Sequence, residues 1–281
     1  MSRGPRMASR IGRVLRNQRD PGGCHHLVVS VDGTWPESGP GQFAMLSTDH
    51  PQFPILPRPF SLLGWERVGG EDRLEWMIMP VGVGTALLCS LRVGETLNVV
   101  GPLGRRFDDQ VPDGDIVCVG GGYGIAPFVF LLDTWRRAGN ARVARTTAIF
   151  GARSAERLSQ RERLPGGGVA VELCTDDGSL GFKGRVDARL DALLASRKAN
   201  PPALVLSCGP EKMMEAVGAV ASRHGVPARA SLETVMGCGY AVCNGCAVRV
   251  KDARQADGYT WELACREGTV FDEARLLWHP I

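Results

Sequence analysis

Four cysteines crowd the last quarter of the chain. Three of them, Cys238, Cys243 and Cys246, are spaced C-x4-C-x2-C, and Cys265 follows after a longer gap. No other feature restricts the chain as much. This spacing serves [2Fe–2S] centres, in which four thiolates converge on two ferric ions. A tight loop must wrap such a cluster so that backbone N–H groups face its sulfides. Gly237, Gly239 and Gly245 suit that loop, because glycine tolerates close approach and positive φ, and the small Ala241 and Ala247 leave room. Structural zinc also accepts four cysteines, but it more often pairs two C-x2-C knuckles, and this segment has a single one. The total of nine cysteines is odd, and Cys24, Cys89, Cys118, Cys174 and Cys208 are scattered. That distribution argues against a disulfide scaffold and for a metal centre in a reducing compartment.

A chain of 281 residues accommodates two ordinary domains with a small appendage. Hydrophobic residues at 44% and charged residues at 22% are globular values. A net charge of +3, without a dense Lys/Arg stripe, excludes the electrostatic footprint of a nucleic-acid binder. The basic excess is partly local: Arg3, Arg6, Arg10, Arg13, Arg16 and Arg19 precede the first acid, Asp20. Residues 1–10 therefore read as a basic tail, with a start at Met7 or a transit peptide as alternatives. No apolar run reaches the ~18 residues of a membrane span, and no signal-peptide core precedes the first domain, so the expected location is the cytosol.

Between residues 11 and 110 the pattern is one of short strands. Apolar runs at 27–31, 42–46, 60–63, 74–79 and 96–100 are separated by Gly, Pro, Asp and Ser. This predicts an antiparallel barrel or sandwich. Over 111–228 strand and helix alternate: strands at 116–119, 143–150, 169–174 and 203–207, helices after Gly124 and at 155–163, 186–195 and 211–224. That alternation predicts a parallel-sheet α/β nucleotide domain. From residue 229 to 281 neither pattern continues, and the cysteine segment forms a third unit.

Three further motifs carry chemistry. Arg58-Pro59-Phe60-Ser61 opens a barrel strand, and Val81-Gly-Val-Gly84-Thr85 reads as a glycine turn opening a short helix, which would bring N–H donors and a hydroxyl to a phosphate. Gly120-Gly121-Gly122-Tyr-Gly124-Ile-Ala-Pro127 follows a strand and opens a helix, allowing close approach of a pyrophosphate to a helix N-terminus. Cys208-Gly209-Pro210 repeats the strand-to-helix setting later in the chain, where Cys208 on its own merits is equally a buried free cysteine.

In this order the motifs resemble the ferredoxin-reductase superfamily. The resemblance implies FAD across the barrel, with Arg58 at its pyrophosphate, Pro59 among the cofactor contacts, Phe60 and Ser61 near the isoalloxazine, and Gly84 and Thr85 on phosphate. It implies NAD at the 120–124 turn and at Gly209 and Pro210, with Cys208 in a catalytic position near the nicotinamide. Glu233 through Cys246, Ala264-Cys-Arg-Glu-Gly-Thr-Val-Phe271 and Thr175 through Val186 are similar, more narrowly, to electron-transfer subunits of type B dihydroorotate dehydrogenase. That family passes electrons from an FMN-containing catalytic subunit through [2Fe–2S] and FAD to NAD, in an assembly expected to hold two of each chain. Two departures stand out: Met77-Ile78-Met79 replaces the family's Tyr-Arg-Val at an FAD contact, and Thr269 replaces a proline. A hydrogenase or ferredoxin:NADP transhydrogenase reductase subunit, a zinc-binding interaction module and a cluster-based redox sensor remain alternatives. His25, His26, His50, His224 and His279 are scattered and offer no acid–base pair, so dihydroorotate oxidation is expected on a partner chain.

Overall fold

In the computed structural model, residues 7–107 and 111–278 are described; Arg3, Arg6 and His279 lie outside them. The strands are β1 (Ala8–Arg19), β2 (His25–Val31), β3 (Phe43–Ser47), β4 (Arg58–Val68), β5 (Glu71–Ile78) and β6 (Thr96–Leu103), with helix α1 (Val83–Ser90) between the last two. They close an antiparallel barrel in the order β1-β2-β5-β4-β3-β6. Closure leaves no free edge. Inward positions alternate along each strand and fill the centre with Leu27, Val29, Leu62, Leu74 and Trp76, all fully buried. The expected basic tail ends sooner than its charge suggests. Ala8, Ser9 and Arg10 pair with Gly101, Val100 and Val99 of β6, because the backbone ladder does not care that their side chains are polar.

The second unit contains β7 (Ile116–Gly121), α2 (Ala126–Arg137), β8 (Thr146–Ala152), β9 (Ala170–Thr175), β10 (Phe182–Lys183), α3 (Val186–Ser196), β11 (Leu204–Cys208) and α4 (Glu211–Arg223). β7 is buried throughout, as a central parallel strand covered on both faces must be. The helix expected at 155–163 is instead two single 3-10 turns, Ala155–Arg157 and Arg161–Arg163. The parallel pattern also continues past residue 228: β12 (Ala228–Ser231) pairs parallel with β11. A four-residue strand of small and charged residues carries too little periodicity to read. The cysteine segment adds a ribbon of β13 (Ala247–Lys251) and β14 (Tyr259–Leu263), and β15 (Val270–Asp272) closes the large sheet, antiparallel to β12. The third unit is therefore stitched into the second by main-chain bonds. No helix among the described residues is long and apolar enough to cross a membrane.

An ion network joins barrel to nucleotide domain. Glu75 of β5 accepts from His26 Nε2 at 2.8 Å and from Arg163 Nη1 at 2.8 Å, and Arg163 reaches Asp133 of α2 at 2.6 Å. Burial raises the Glu75 pKa, but the bonds from His26 and Arg163 outweigh it and hold the carboxyl at about 2 instead of 4.5. A depressed carboxyl contributes stability above its unfolded pKa and loses it as pH falls toward the folded one. Glu75→Gln is therefore expected to cost roughly 2–3 kcal/mol at pH 7. The gap between the two proteins' unfolding midpoints should narrow only below pH 4.5, toward the folded value of about 2. Denaturation scans at stepped pH read this directly; a constant gap down to pH 3 would contradict it.

Candidate functional site

Between the barrel and the cysteine segment lies a cleft of about 620 Å³. Pro59, Phe60 and Ser61 form part of its wall, with Met77, Met79 and Thr85. Their arrangement follows from strand alternation: Met77 turns to the cleft, while Ile78 is 1% exposed and packs in the barrel core. Arg58 lies over the first turn of α1, since a Cβ on Gly84 would sit 3.5 Å from its Nε. An anion there would meet a guanidinium and the free N–H groups of a helix start. The Thr85 hydroxyl is already engaged. It accepts from the N–H groups of Val81 and Gly82 and donates to the Gly82 carbonyl, each at 2.9 Å, so it shapes the turn. The cleft's size and apolar walls, with Arg58 beside the adjoining α1 turn, fit a flavin dinucleotide, although Glu211 and Glu233 also line it.

A second cleft, of about 520 Å³, opens at the carboxyl ends of the parallel strands. Gly121, Gly122 and Pro210 line it with Arg157, Lys212 and Asp176. The two glycine motifs, far apart in sequence, meet here. Any Cβ on Gly124 would collide with the Cys208 carbonyl, and one on Gly209, where φ is +146, would lie 2.9 Å from the Gly121 carbonyl. Gly120 packs under the Phe150 ring. Their position outside the strand ends is where such sheets take nucleotides. Cys208 is 1% exposed and packs in the core beneath this turn, and burial holds its thiol well above the ordinary value, so it is a neutral thiol and not a thiolate. Burial likewise pushes Cys24, Cys89 and Cys118 up to about 12 and Cys174 to about 11.

The cysteine loop behaves differently. Its sulfurs fall into two pairs: Cys238 with Cys243, and Cys246 with Cys265, the latter 3.1 Å apart. Among the described residues, no three His, Cys, Asp or Glu side chains converge on a single ion position. Backbone N–H groups point inward: Ala241 donates to Cys265 Sγ at 3.2 Å, Val242 and Cys243 to Cys238 Sγ at 3.3 and 3.4 Å. Positive φ at Gly239, Ala241 and Asn244 turns the peptides that way. Of the three glycines expected to supply that conformation, Gly239 alone does so; Gly237 serves close approach, a Cβ there lying 3.2 Å from Cys243 Sγ. Burial raises the Cys238 thiol, yet the N–H groups of Cys243, Val242 and Tyr240 overcome it and bring it to about 7. Cys265 is pushed up to about 12 by burial and by the adjacent Cys246 sulfur. Two sulfurs so close repel as thiolates, and iron between them would relieve the repulsion. The donors fit a two-iron cluster.

Residues that sequence reasoning did not single out link these parts. Met236 lines the barrel cleft and packs in the same core as Cys246 and Cys265. The Glu233 carboxylate, its pKa raised by burial, is crowded by protein yet opens into the cleft. Tyr123 borders both clefts. Only the composite surface reveals them. Thr269, where the family has proline, donates to the Gly41 carbonyl at 2.8 Å and so ties the cysteine segment to the barrel.

Barrel, parallel sheet and cysteine-bearing segment in this order define a ferredoxin-reductase-like electron-transfer protein with an iron–sulfur domain. Residues 233–277 match the iron–sulfur cluster binding domain of dihydroorotate dehydrogenase B, and residues 118–219 the oxidoreductase NAD-binding domain. The chain is 34% identical over 239 residues to the electron transfer subunit of dihydroorotate dehydrogenase B (NAD(+)) from Desulforamulus reducens, covering 85% of this chain and 87% of that one. The corresponding subunit from Caldanaerobacter subterraneus is 30% identical, over 92% of this chain and 94% of its own length. A solved NADH-dependent reduced ferredoxin-NADP oxidoreductase superposes with a TM-score of 0.78 at 25% identity, covering 95% of this chain and 90% of that one. The chain belongs to the family of dihydroorotate dehydrogenase B electron-transfer subunits.

Proposed function

We propose that this chain binds FAD in the barrel cleft, NAD at the glycine turns and a [2Fe–2S] cluster on Cys238, Cys243, Cys246 and Cys265. In this reading it passes electrons from an FMN-containing dihydroorotate dehydrogenase catalytic subunit to NAD, in pyrimidine biosynthesis. When bound, these groups supply the conversion of single electrons into a hydride. The chain's own residues orient them. Arg58 and the start of α1 would hold the flavin's phosphates, Phe60, Ser61, Met77 and Met79 its ring. Gly120, Gly121, Gly122, Gly124, Gly209 and Pro210 would admit the nicotinamide dinucleotide, with Cys208 as the neutral floor beneath its reacting ring.

The observation that carries the reading is the position of the cysteine loop between surface and cleft. Cys246 and Cys265 face inward, 2% and 4% exposed, on the core that reaches the cleft through Met236, while Cys243 is exposed. Around the outer edge Ile55, Leu56, Val235, Tyr240 and Val242 expose apolar side chains. An apolar collar at the outer edge of an electron relay suits a stable partner subunit. Val242→Glu should weaken assembly with the catalytic subunit by at least about tenfold, read by analytical ultracentrifugation of the mixed chains, with iron content unchanged. Unaltered assembly would remove the collar from the interface. The whole reading is tested by anaerobic purification with the copurifying chain. Bound FAD, iron, acid-labile sulfide and dihydroorotate-dependent reduction of NAD are expected; absence of FAD or of iron and sulfide would end it. The resemblance to the ferredoxin-NADP oxidoreductase favours a second reading with another partner, and the copurifying chain separates the two.

A further inference from the structure

The turn at 120–124 carries four glycines and one bulky residue, Tyr123, which is 39% exposed. Such a turn exists to keep side chains away from a ligand, so a phenol at its centre requires a reason. Its ring is a wall of both the flavin cleft and the nucleotide cleft. Arg157, together with Asp20 and Cys24 of the β1–β2 turn, lies near its hydroxyl. That barrel turn packs on the segment bearing Arg157: a Cβ on Gly22 would lie 3.3 Å from the Arg157 Cα, and Ser159 donates to Asp20. Tyr123 thus stands in a throat with barrel on one side and nucleotide domain on the other.

A dinucleotide with its pyrophosphate at the glycine turn and its nicotinamide at the flavin must cross this throat. We propose that Tyr123 is a positioning residue for that crossing: the ribose–nicotinamide half of NAD(H) lies against its ring. The inference rests on the flavin–nicotinamide reading above. A planar aromatic surface packs well against such a group, and a side chain with two torsions has little freedom for binding to restrict.

The test uses the full-length protein with its cofactors, NADH as donor and an artificial acceptor, alongside NAD titrations followed by the flavin spectrum. Tyr123→Ser should raise the KM for NADH and weaken the NAD titration by about tenfold, with a smaller change in kcat and unchanged FAD content. Tyr123→Phe should restore both to within about threefold, since it keeps the ring. A serine variant within about twofold of the parent, a phenylalanine variant no better than serine, or a serine variant that loses FAD would each overturn the assignment. Failure of the parent protein itself to take electrons from NADH would instead overturn the function on which the assignment rests.

Discussion

Cys246→Ser is expected to abolish the iron–sulfur cluster while leaving FAD in place. Cys246 is 2% exposed and sits 3.1 Å from Cys265, in the pair packed on the core that reaches the barrel cleft through Met236. Serine is a hard, poorly ionised ligand where soft thiolate is needed. Loss of an outer partner already costs metal sites 10–100-fold, so loss of a ligand should lower electron flow to the partner by at least about a hundredfold. NADH-driven reduction of a small acceptor should survive, because it needs only the two dinucleotide clefts. Cys118→Ser provides the contrast: Cys118 is fully buried in the core under α2, remote from the loop, and its substitution should leave iron and sulfide unchanged. Iron and acid-labile sulfide analysis decides the matter. Full retention of both in Cys246→Ser would show that the loop does not hold the cluster in the way described.

The second large effect is expected at Gly124. A valine there drives its Cβ into the Cys208 carbonyl, and the clash is backbone against backbone: Cys208 ends the buried strand β11, and Gly124 lies in the 3-10 turn that follows β7. Overpacking of this kind costs about 1–3 kcal/mol, and the displaced turn is the one that would receive the pyrophosphate. Reduction of the flavin by NADH should therefore slow by roughly a hundredfold. The visible spectrum should persist, because Gly124 itself lines neither the barrel cleft nor the cysteine loop. Stopped-flow reduction with NADH against dithionite separates the outcomes. Equal slowing with both reductants would mean general damage, and an unaffected NADH rate would remove the turn from the nucleotide path.

Local chemistry was legible without coordinates. The cysteine spacing, the two glycine turns and the alternation of strand and helix are short-range patterns, each written within a few residues. They carried the barrel, the parallel sheet and the order of the modules. The boundaries they implied were softer. Residues 8–10 are charged like a tail but paired like a strand, and β12 is too short and too polar to announce itself. The stretch 155–163 has helical composition, yet it forms two separate turns, one of them packed against the β1–β2 turn.

The site divides along the same line. By itself the sequence determined which residues can ligate iron, which turns can admit phosphates and which strands are buried, because composition and spacing control bonding chemistry and backbone freedom directly. Only the tertiary structure decided what those residues face. It turned Met77 into the cleft and Ile78 away, set Gly124 against Cys208, hung Thr269 on Gly41, and left Tyr123 between two clefts. Those relations join segments up to 228 residues apart, and they follow from how whole layers pack, which no local window contains.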